Sequence, residues 1–115
     1  MALLGIKKSF KASHGSKSHE HTFQVEIVVE GKINSKTGYI ENIDCHEIES
    51  KTDNIINLME NKNLKEFFNN LGFKSSGMES IAMFFLKKLN EKFPIKFIRV
   101  WETEDRYVRV YPQDI

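Results

Sequence analysis

The strongest constraint on the fold of this chain is the alternation of residue types between positions 19 and 30. One parity carries two imidazoles followed by apolar side chains: His19, His21, Phe23, Val25, Ile27 and Val29. The other parity is mostly polar and charged: Glu20, Thr22, Gln24, Glu26, Val28 and Glu30. Because successive side chains of a β-strand point to opposite faces, this pattern predicts a strand with one buried face and one solvated face.

A shorter alternating segment precedes this strand and predicts its hairpin partner. The residues of one parity are mostly apolar: Ile6, Lys8, Phe10, Ala12 and His14. Residues 15–18 form a short polar segment that begins with glycine, a composition suited to a hairpin loop. We therefore predict strands over 6–14 and 19–30, followed by a turn at Thr37 and Gly38.

Two helices are predicted in the middle of the chain. Asp44, with Glu47 three residues later, resembles a capping box, and the apolar stripe after it is Ile48, Ile55, Ile56 and Met59. Ser76 and Glu79 have the S-x-x-E spacing that begins a second helix, and Pro94 marks its stop. The mixed segment between the helices predicts only a short helical turn, with the apolar side chains Leu64, Phe67, Phe68 and Leu71.

A second hairpin is predicted near the C-terminal end. Its strands, 96–103 and 106–111, are rich in Val, Ile, Phe, Trp and Tyr, and Glu104-Asp105 is the turn. The order strand–strand–helix–helix–strand–strand contains no βαβ alternation. We therefore predict one α+β domain over 1–115, with a four-stranded antiparallel sheet and two helices on one face. Such a sheet has exposed edges, which favours closure by other subunits.

Composition excludes several classes of function. Lys and Arg number 17 against 16 Asp and Glu, a net charge of +1, which argues against nucleic acid or an anionic membrane as the main partner. The single cysteine, Cys45, allows no intrachain disulfide and fits a reducing cytoplasm. No stretch approaches the roughly 20 apolar residues that span a bilayer. Lys7 and Lys8 interrupt the N-terminal apolar residues too early for a signal peptide.

Three of the four histidines, His14, His19 and His21, occur within eight residues. If 15–18 is the loop, His14 and His19 are directly opposed and their Cβ atoms lie about 5 Å apart on one face. His21 is two residues beyond His19 and shares that face. Three neutral imidazoles leave the fourth position of a tetrahedral zinc site open, which is the catalytic pattern. The alternatives are a polar hairpin end with solvated histidines or an expression-tag effect, and a loop of different length would turn His14 to the other face.

Short motifs spread along the whole chain form an ordered set. Residues 10–14 read Phe-Lys-Ala-Ser-His and residues 19–23 read His-Glu-His-Thr-Phe, followed by the segments 30–31, 37–40, 59–64, 79–82 and 100–103. The set resembles the F-x-A-[AS]-H, H-G-H-x-[YF], T-G-[MW]-[VI], L-D-H-x-x-L, E-N-[LI]-A and V-x-E-T elements of the 6-pyruvoyl-tetrahydropterin synthase and 6-carboxytetrahydropterin synthase family.

The resemblance implies the tunnelling fold, in which the sheets of several protomers join into a barrel. The implied assembly is a homo-oligomer, usually a hexamer of two trimers, with active sites between subunits. The resemblance also implies zinc on His14, His19 and His21. The implied substrate is 7,8-dihydroneopterin triphosphate or a related dihydropterin. Its triphosphate is eliminated or its side chain is cleaved, on the way to tetrahydrobiopterin, folate or queuosine-type products.

Glu102 is the candidate residue for binding the pterin ring. Ile98, Val100 and Glu102 share one parity, so the carboxylate of Glu102 lies at the end of an otherwise apolar strand face. Removing a carboxylate from water costs free energy unless it is paired. A pterin ring presents adjacent N–H donors that one carboxylate can accept together, and Thr103 adds a hydroxyl or backbone contact. The alternative is an ordinary surface ion pair, for instance with Arg106 across the turn.

The chain departs from the family's pattern at the acid/base groups. Residues 15–18 contain no counterpart of the family's catalytic cysteine. Glu20 stands at the central glycine of H-G-H, but strand alternation points it away from the metal. Glu60 and Asn61 stand at the Asp-His pair, and an amide cannot take up a proton at neutral pH.

Three residues are weak candidates for the missing acid/base role: Cys45, His46 and Glu60. Cys45 and His46 begin the first predicted helix, where the helix dipole favours a thiolate. The alternatives are a buried apolar role for Cys45 and a capping or solvated role for His46.

Three hypotheses for function follow. The first is a zinc-dependent lyase, similar to the pterin synthases, that breaks a carbon–oxygen or carbon–carbon bond of a dihydropterin. The second is a homologue that binds zinc and a pterin or purine without the usual turnover. The third is a small interaction module whose histidines matter only for stability.

Overall fold

The computed structural model describes residues 1–14 and 19–115, apart from the side chain of His19. Four strands form one antiparallel sheet in the order β1-β2-β3-β4. They are β1 (Ala2–His14), β2 (His19–Gly31), β3 (Ile95–Trp101) and β4 (Tyr107–Val110). The predicted α+β class and four-stranded sheet are confirmed. Within the described ranges, the helices are all too short or too polar to cross a membrane.

The first hairpin has the register that the alternation predicts. His14 pairs with His19, Phe10 with Phe23 and Ala2 with Gly31. β1 begins at Ala2 rather than at residue 6, because the partner strand β2 extends to Gly31 and supplies pairing over the full length. One exception to the alternation is Val28, which is buried on the predicted polar parity, next to the register shift between β2 and β3.

The described residues contain three α-helices instead of the two predicted. They are α1 (Cys45–Met59), α2 (Leu64–Asn70) and α3 (Met78–Leu89). α2 was expected only as a helical turn, but the side chain of Asn63 caps it by accepting bonds from the N–H groups of Lys65 (3.0 Å) and Glu66 (3.4 Å). A short 3-10 helix, Pro112–Asp114, follows β4.

The predicted start is correct for α1 and wrong for α3. Asp44 Oδ1 accepts bonds from the N–H groups of His46 (3.0 Å) and Glu47 (3.3 Å), as the capping pattern predicts. The N-cap of α3 is Gly77 rather than Ser76. The start of α3 is tied instead by the hydroxyl of Ser80, which donates to the carbonyl of Ser75 at 2.8 Å.

The second predicted hairpin is present, with shorter strands than expected. Pairing in β3 ends at Trp101, so Glu102 and Thr103 belong to the connection to β4. The predicted turn at Thr37 and Gly38 is also present. Gly38 has a φ of 78°, a conformation that favours glycine, and Ile33 pairs with Ile40 across the turn.

The helices cover one face of the sheet and form the core with it. α3 lies against β3 and β4, while α1 and α2 lie against β1. The strands contribute the fully or nearly fully buried Phe10, Ala12, Phe23, Val25, Ile27, Ile98 and Val100, and the helices contribute Ile48, Phe68, Ile81, Phe85 and Leu86. On the opposite face, Arg99 binds Glu26 at 2.6 Å and lies over the ring of Trp101. The parity rule therefore separates the two faces as predicted.

Candidate functional site

The candidate site lies where the apolar face of the sheet ends. On β1 the buried Phe10 and Ala12 are followed by His14, and on β2 His21 precedes the buried Phe23. On β3 the buried Val100 is followed by Glu102. Because the three strands are neighbours and antiparallel, these positions meet at the same end of the sheet. The ends of β1 and β2 and the connection that follows β3 thus bring two imidazoles and one carboxylate together.

The polar atoms of this cluster lie close together. Nε2 of His14 is 2.8 Å from Oε1 of Glu102, and Nε2 of His21 is 3.8 Å from the same oxygen. The two imidazole ring centres are 4.7 Å apart. One donor atom from each of the three side chains lies within 4.8 Å of the others, which is a grouping that could hold a metal ion.

The cluster is partly shielded from solvent and rests on an aromatic floor. The side chains of His14 and Glu102 are 15% and 16% exposed, and that of His21 is 29% exposed. The ring of Phe23 is fully buried, and its centre lies 5.4 Å from the centre of the His14 ring and 5.8 Å from the centre of the His21 ring. This packing restricts the imidazole orientations.

Glu102 divides its two oxygens between different partners. Oε1 faces the imidazoles, while Oε2 lies 3.5 Å from a guanidinium nitrogen of Arg106, whose side chain is 65% exposed. The backbone N–H of Glu102 also donates to the carbonyl of Arg106 at 3.2 Å. The surface ion pair considered from the sequence is therefore present, and it leaves one carboxylate oxygen directed into the cluster.

The donor set fits a zinc ion. Zinc holds nitrogen and oxygen ligands at about 2.0–2.2 Å in a tetrahedron, so neighbouring ligand atoms lie about 3.4 Å apart. The two distances to Oε1 of Glu102, 2.8 and 3.8 Å, lie on either side of that value. Imidazole and carboxylate are also ligand types that zinc accepts in catalytic sites.

Comparison with known proteins assigns the chain to a family. Residues 5–113 match the sequence model of the family described as 6-pyruvoyl tetrahydropterin synthase. The chain belongs to the 6-pyruvoyl tetrahydropterin synthase family. The family predicted from the ordered motifs is confirmed.

Two similar proteins are informative. A protein of Pyrococcus furiosus named dihydroneopterin monophosphate aldolase is 28% identical over 109 residues, which cover 86% of this chain and 88% of that protein. The structure of Caenorhabditis elegans 6-pyruvoyl tetrahydropterin synthase superimposes with a TM-score of 0.78 and 16% identity, covering 96% of both chains. At that identity the superposition shows a shared fold.

Two members of the predicted histidine set are brought together by the fold, and the third cannot be described. His14 and His21 lie in the cluster. The backbone register pairs His19 with His14, as predicted, but the side chain of His19 lies outside the described part of the chain. Zinc on His14, His19 and His21 therefore stays a prediction for this member of the synthase family.

Thr103 lies apart from the histidines. It is exposed, and its hydroxyl accepts a bond from the N–H of Asp105 at 3.3 Å within the turn. It lines a shallow cleft with Thr22, Gln24 and Trp101, which belong to the other face of the sheet. Its described contacts therefore support the turn.

Cys45 and His46 lie far from the cluster within one chain. They form the first turn of α1, and the opposite end of that helix leads into residues that bond to β1 beside His14. The helix has 15 residues, and at 1.5 Å per residue its two ends are about 20 Å apart. Cys45 is half-buried and His46 is exposed. Neither residue is in reach of the imidazoles of its own chain.

The segment that contains Glu60 and Asn61, which stand at the family's Asp-His pair, lies next to the cluster. The N–H of Asn61 donates to the carbonyl of Lys11 at 2.7 Å, and the N–H of Ser13 donates to the carbonyl of Lys62 at 3.1 Å. Asn61 has a φ of 62°, which lets the chain turn from α1 onto the edge of β1. The Glu60 side chain is exposed. Of the three acid/base candidates, Glu60 is the one whose neighbours in sequence, Asn61 and Lys62, hydrogen-bond to β1 beside His14.

The sequence predicted that Glu102 binds substrate and did not predict its contacts with His14 and His21. The sequence pattern that indicates this contact is that Glu102, like His14 and His21, stands at the end of the apolar parity of its strand. What was missing was the order of the strands, which makes β3 the neighbour of β2.

Proposed function

We propose that this protein is a zinc-dependent lyase that cleaves the side chain of a dihydroneopterin phosphate. The observation that carries the proposal is the convergence of His14, His21 and Glu102 at the end of the apolar sheet face. The family membership supports a pterin-related substrate. The named activity of the Pyrococcus furiosus relative favours carbon–carbon cleavage of a monophosphate over elimination from a triphosphate.

In this proposal, His14 and His21 hold the zinc ion, together with His19 as the third imidazole. His19 is included because it lies on β2, two residues before His21 and directly opposite His14 of β1. Bound zinc would lower the pKa of a substrate hydroxyl that it contacts and stabilise the resulting negative charge. The burial of the cluster and its aromatic floor limit the access of competing water.

Glu102 binds and orients the pterin ring. Adjacent N–H donors of the ring can both bond to its carboxylate, which gives charge-assisted bonds with a defined direction. The carboxylate is 16% exposed and follows the buried Val100. It is therefore poorly hydrated and gains from partners in its own plane.

The proposed reaction is a retro-aldol cleavage. The hydroxyl on C2′ of the side chain loses its proton, the C1′–C2′ bond breaks, and its electron pair moves into the adjacent C6=N5 bond of the ring. A proton then adds at C1′. A monophosphate substrate gives 6-hydroxymethyl-7,8-dihydropterin and glycolaldehyde phosphate, so atoms and electrons balance without a further reactant.

This route suits a site that lacks the family's usual acid/base groups. The first proton comes from a hydroxyl, which is more acidic than a carbon-bound hydrogen and demands less of a base. We propose Glu60 as the residue that exchanges the protons, through water, because its segment hydrogen-bonds to β1 next to His14. Cys45 and His46, about 20 Å away along α1, would reach the site only from another subunit.

A second candidate function is binding of zinc and a pterin or purine without turnover. The observation that favours it is Asn61, which stands where the family motif has a histidine and cannot act as a base. A binding protein would keep the metal and ring contacts and have no need of proton transfer.

We also propose that the working form is a homo-oligomer, as a hexamer of two trimers, in the cytoplasm. The edges of the sheet, β1 and β4, offer pairing to other chains. A single half-buried cysteine is compatible with a reducing compartment. The mass measured by light scattering tests the assembly, since a monomer at micromolar concentration contradicts it.

The test of the function uses the full chain purified without chelator. Zinc is quantified per chain, and the protein is then incubated with 7,8-dihydroneopterin monophosphate and, separately, with the triphosphate. We expect about one zinc per chain and release of a 6-hydroxymethyl pterin, detected by fluorescence after oxidation. A 6-pyruvoyl or 6-carboxy product would assign a different reaction. Pterin binding without any product would support the second candidate function and contradict the lyase.

A further inference from the structure

We infer that Glu102 is a metal ligand in the substrate-free protein and passes to the pterin ring when the substrate binds. This inference rests on the proposed function, because it concerns the same metal and the same ring. It gives one carboxylate two successive partners. The resting metal site would then contain His14, His21 and Glu102, and would lose its carboxylate as the substrate arrives.

The convergence of atoms is the first argument. The Nε2 atoms of both His14 and His21 face the same oxygen of Glu102, at 2.8 and 3.8 Å. A carboxylate that only orients a metal-binding histidine normally bonds the ring nitrogen that does not hold the metal. Here one carboxylate oxygen lies within 3.8 Å of both Nε2 atoms, and one donor atom from each of the three side chains lies within 4.8 Å of the others, a grouping that could hold one ion.

The second argument is that the two carboxylate oxygens of Glu102 have different partners. A guanidinium nitrogen of Arg106 lies 3.5 Å from Oε2 and pairs with that oxygen. Oε1 is then left for the cluster. Because Arg106 is 65% exposed, it can follow the carboxylate when the carboxylate changes partner.

The third argument is electrostatic. A carboxylate that is mostly shielded from water needs a partner at all times. A bound metal would be that partner before substrate binds, and the Glu102 carboxylate would lower the net charge of the metal centre by one. The paired N–H donors of the ring would be the partner afterwards, when the hydroxyls of the substrate can take the vacated position on the metal. In this exchange the carboxylate would keep a partner throughout, and a bound metal that loses the carboxylate would be more electrophilic toward the substrate.

The experiment measures metal affinity rather than turnover. Zinc affinity is determined by competition with a chromophoric chelator for the wild-type protein, for Glu102→Gln and for Glu104→Gln. Glu104 is an exposed carboxylate in the same turn and serves as the matched control. We expect Glu102→Gln to weaken zinc binding by more than the roughly 10–100-fold typical of a residue outside the ligand set. Glu104→Gln should stay within about threefold, as expected for an exposed residue.

A second measurement uses the wild-type protein loaded with Co²⁺, whose visible absorption depends on its ligands. Titration with 7,8-dihydropterin, which has no side-chain hydroxyls, should change the spectrum as Glu102 leaves the metal. This result does not depend on the folding of any variant. Binding of the pterin, followed by its own fluorescence, without a spectral change would overturn the inference.

The outcomes separate this inference from the proposed function. If wild type and Glu102→Gln bind zinc equally and only pterin binding is lost, Glu102 contacts the ring alone, and the lyase proposal stands. If Glu102→Gln loses zinc affinity and the wild type has no turnover, the ligand assignment stands and the lyase proposal fails. If the wild type binds no zinc, both are contradicted.

Discussion

The two ends of the β1–β2 hairpin belong to the same sheet and differ in the polarity and packing of their core-facing residues. At one end the face closes with His14, His21 and Glu102, which are half-buried and point polar atoms at one another. At the other end Gly31 lies under Ile40 and Ile43, so close that a Cβ at position 31 would collide with the Ile40 side chain. The difference shows that the core-facing side chains are polar and clustered at one end of the hairpin and tightly packed and apolar at the other.

The first prediction concerns Phe23, which belongs to both the core and the floor of the site. Phe23→Ala should lower the free energy of unfolding by about 3–5 kcal/mol, the cost of removing a buried aromatic ring. It should also weaken zinc binding by about 10-fold or more, because the rings of His14 and His21 lose their support. Urea unfolding of the metal-free protein and chelator competition measure the two effects. Loss of stability with unchanged zinc affinity would mean that the site does not depend on its floor.

The second prediction concerns His21, at the end of the hairpin that carries the cluster of His14, His21 and Glu102. His21→Ala should weaken zinc binding by more than about 100-fold, since loss of a ligand exceeds the effect of a supporting residue. The free energy of unfolding of the metal-free protein should change by less than about 1 kcal/mol, because His21 is partly exposed. Chelator competition and urea unfolding again provide the readouts. A large loss of stability in the metal-free protein would make this histidine structural.

The third prediction concerns Gly31, at the opposite, tightly packed end of the hairpin. Gly31→Ala should cost about 1–3 kcal/mol of stability, the usual range for forcing atoms into a filled core. The added methyl group meets Ile40, and the carbonyl of Glu41 lies 3.4 Å from it. Zinc affinity should be unchanged, because this end is a hairpin length away from His14. A variant as stable as the wild type would show that the turn around Ile40 can move aside.

The smallest expected effect is at the start of α1. Asp44→Ala removes the side chain that accepts bonds from two backbone N–H groups and should cost about 1 kcal/mol. Neither zinc affinity nor pterin binding should change. Thermal unfolding of this variant beside Asp44→Ser, which can still cap the helix, measures the effect. Equal stability of Asp44→Ala and the wild type would contradict the capping role.

Much of the fold could be predicted because it depends on local rules. The parity of residues 19–30 predicts which side chains are buried, and the length of the loop after His14 fixes the register of the hairpin. The start of α1 follows from one side chain, Asp44. These features need only the period of a strand and the chemistry of a helix end.

The errors lie where a local pattern competes with contacts made elsewhere. Ser76 has the right spacing to begin α3, but Ser75 and Ser80 bond to each other and the helix begins after Gly77. The apolar stripe of α2 is too short to identify a helix, which is stabilised by packing of Leu64 and Phe68 in the core. Tertiary packing therefore decided both elements.

The sequence by itself determined which family this chain belongs to, which face of each strand is buried and which strand ends are polar. It did so because side-chain direction in a strand depends only on residue number along that strand. The tertiary structure alone decided that His14 meets Glu102 and that Asn61 bonds to Lys11. Such pairs are far apart along the chain, and their approach depends on which strands become neighbours when the helices and the sheet bury their apolar faces together.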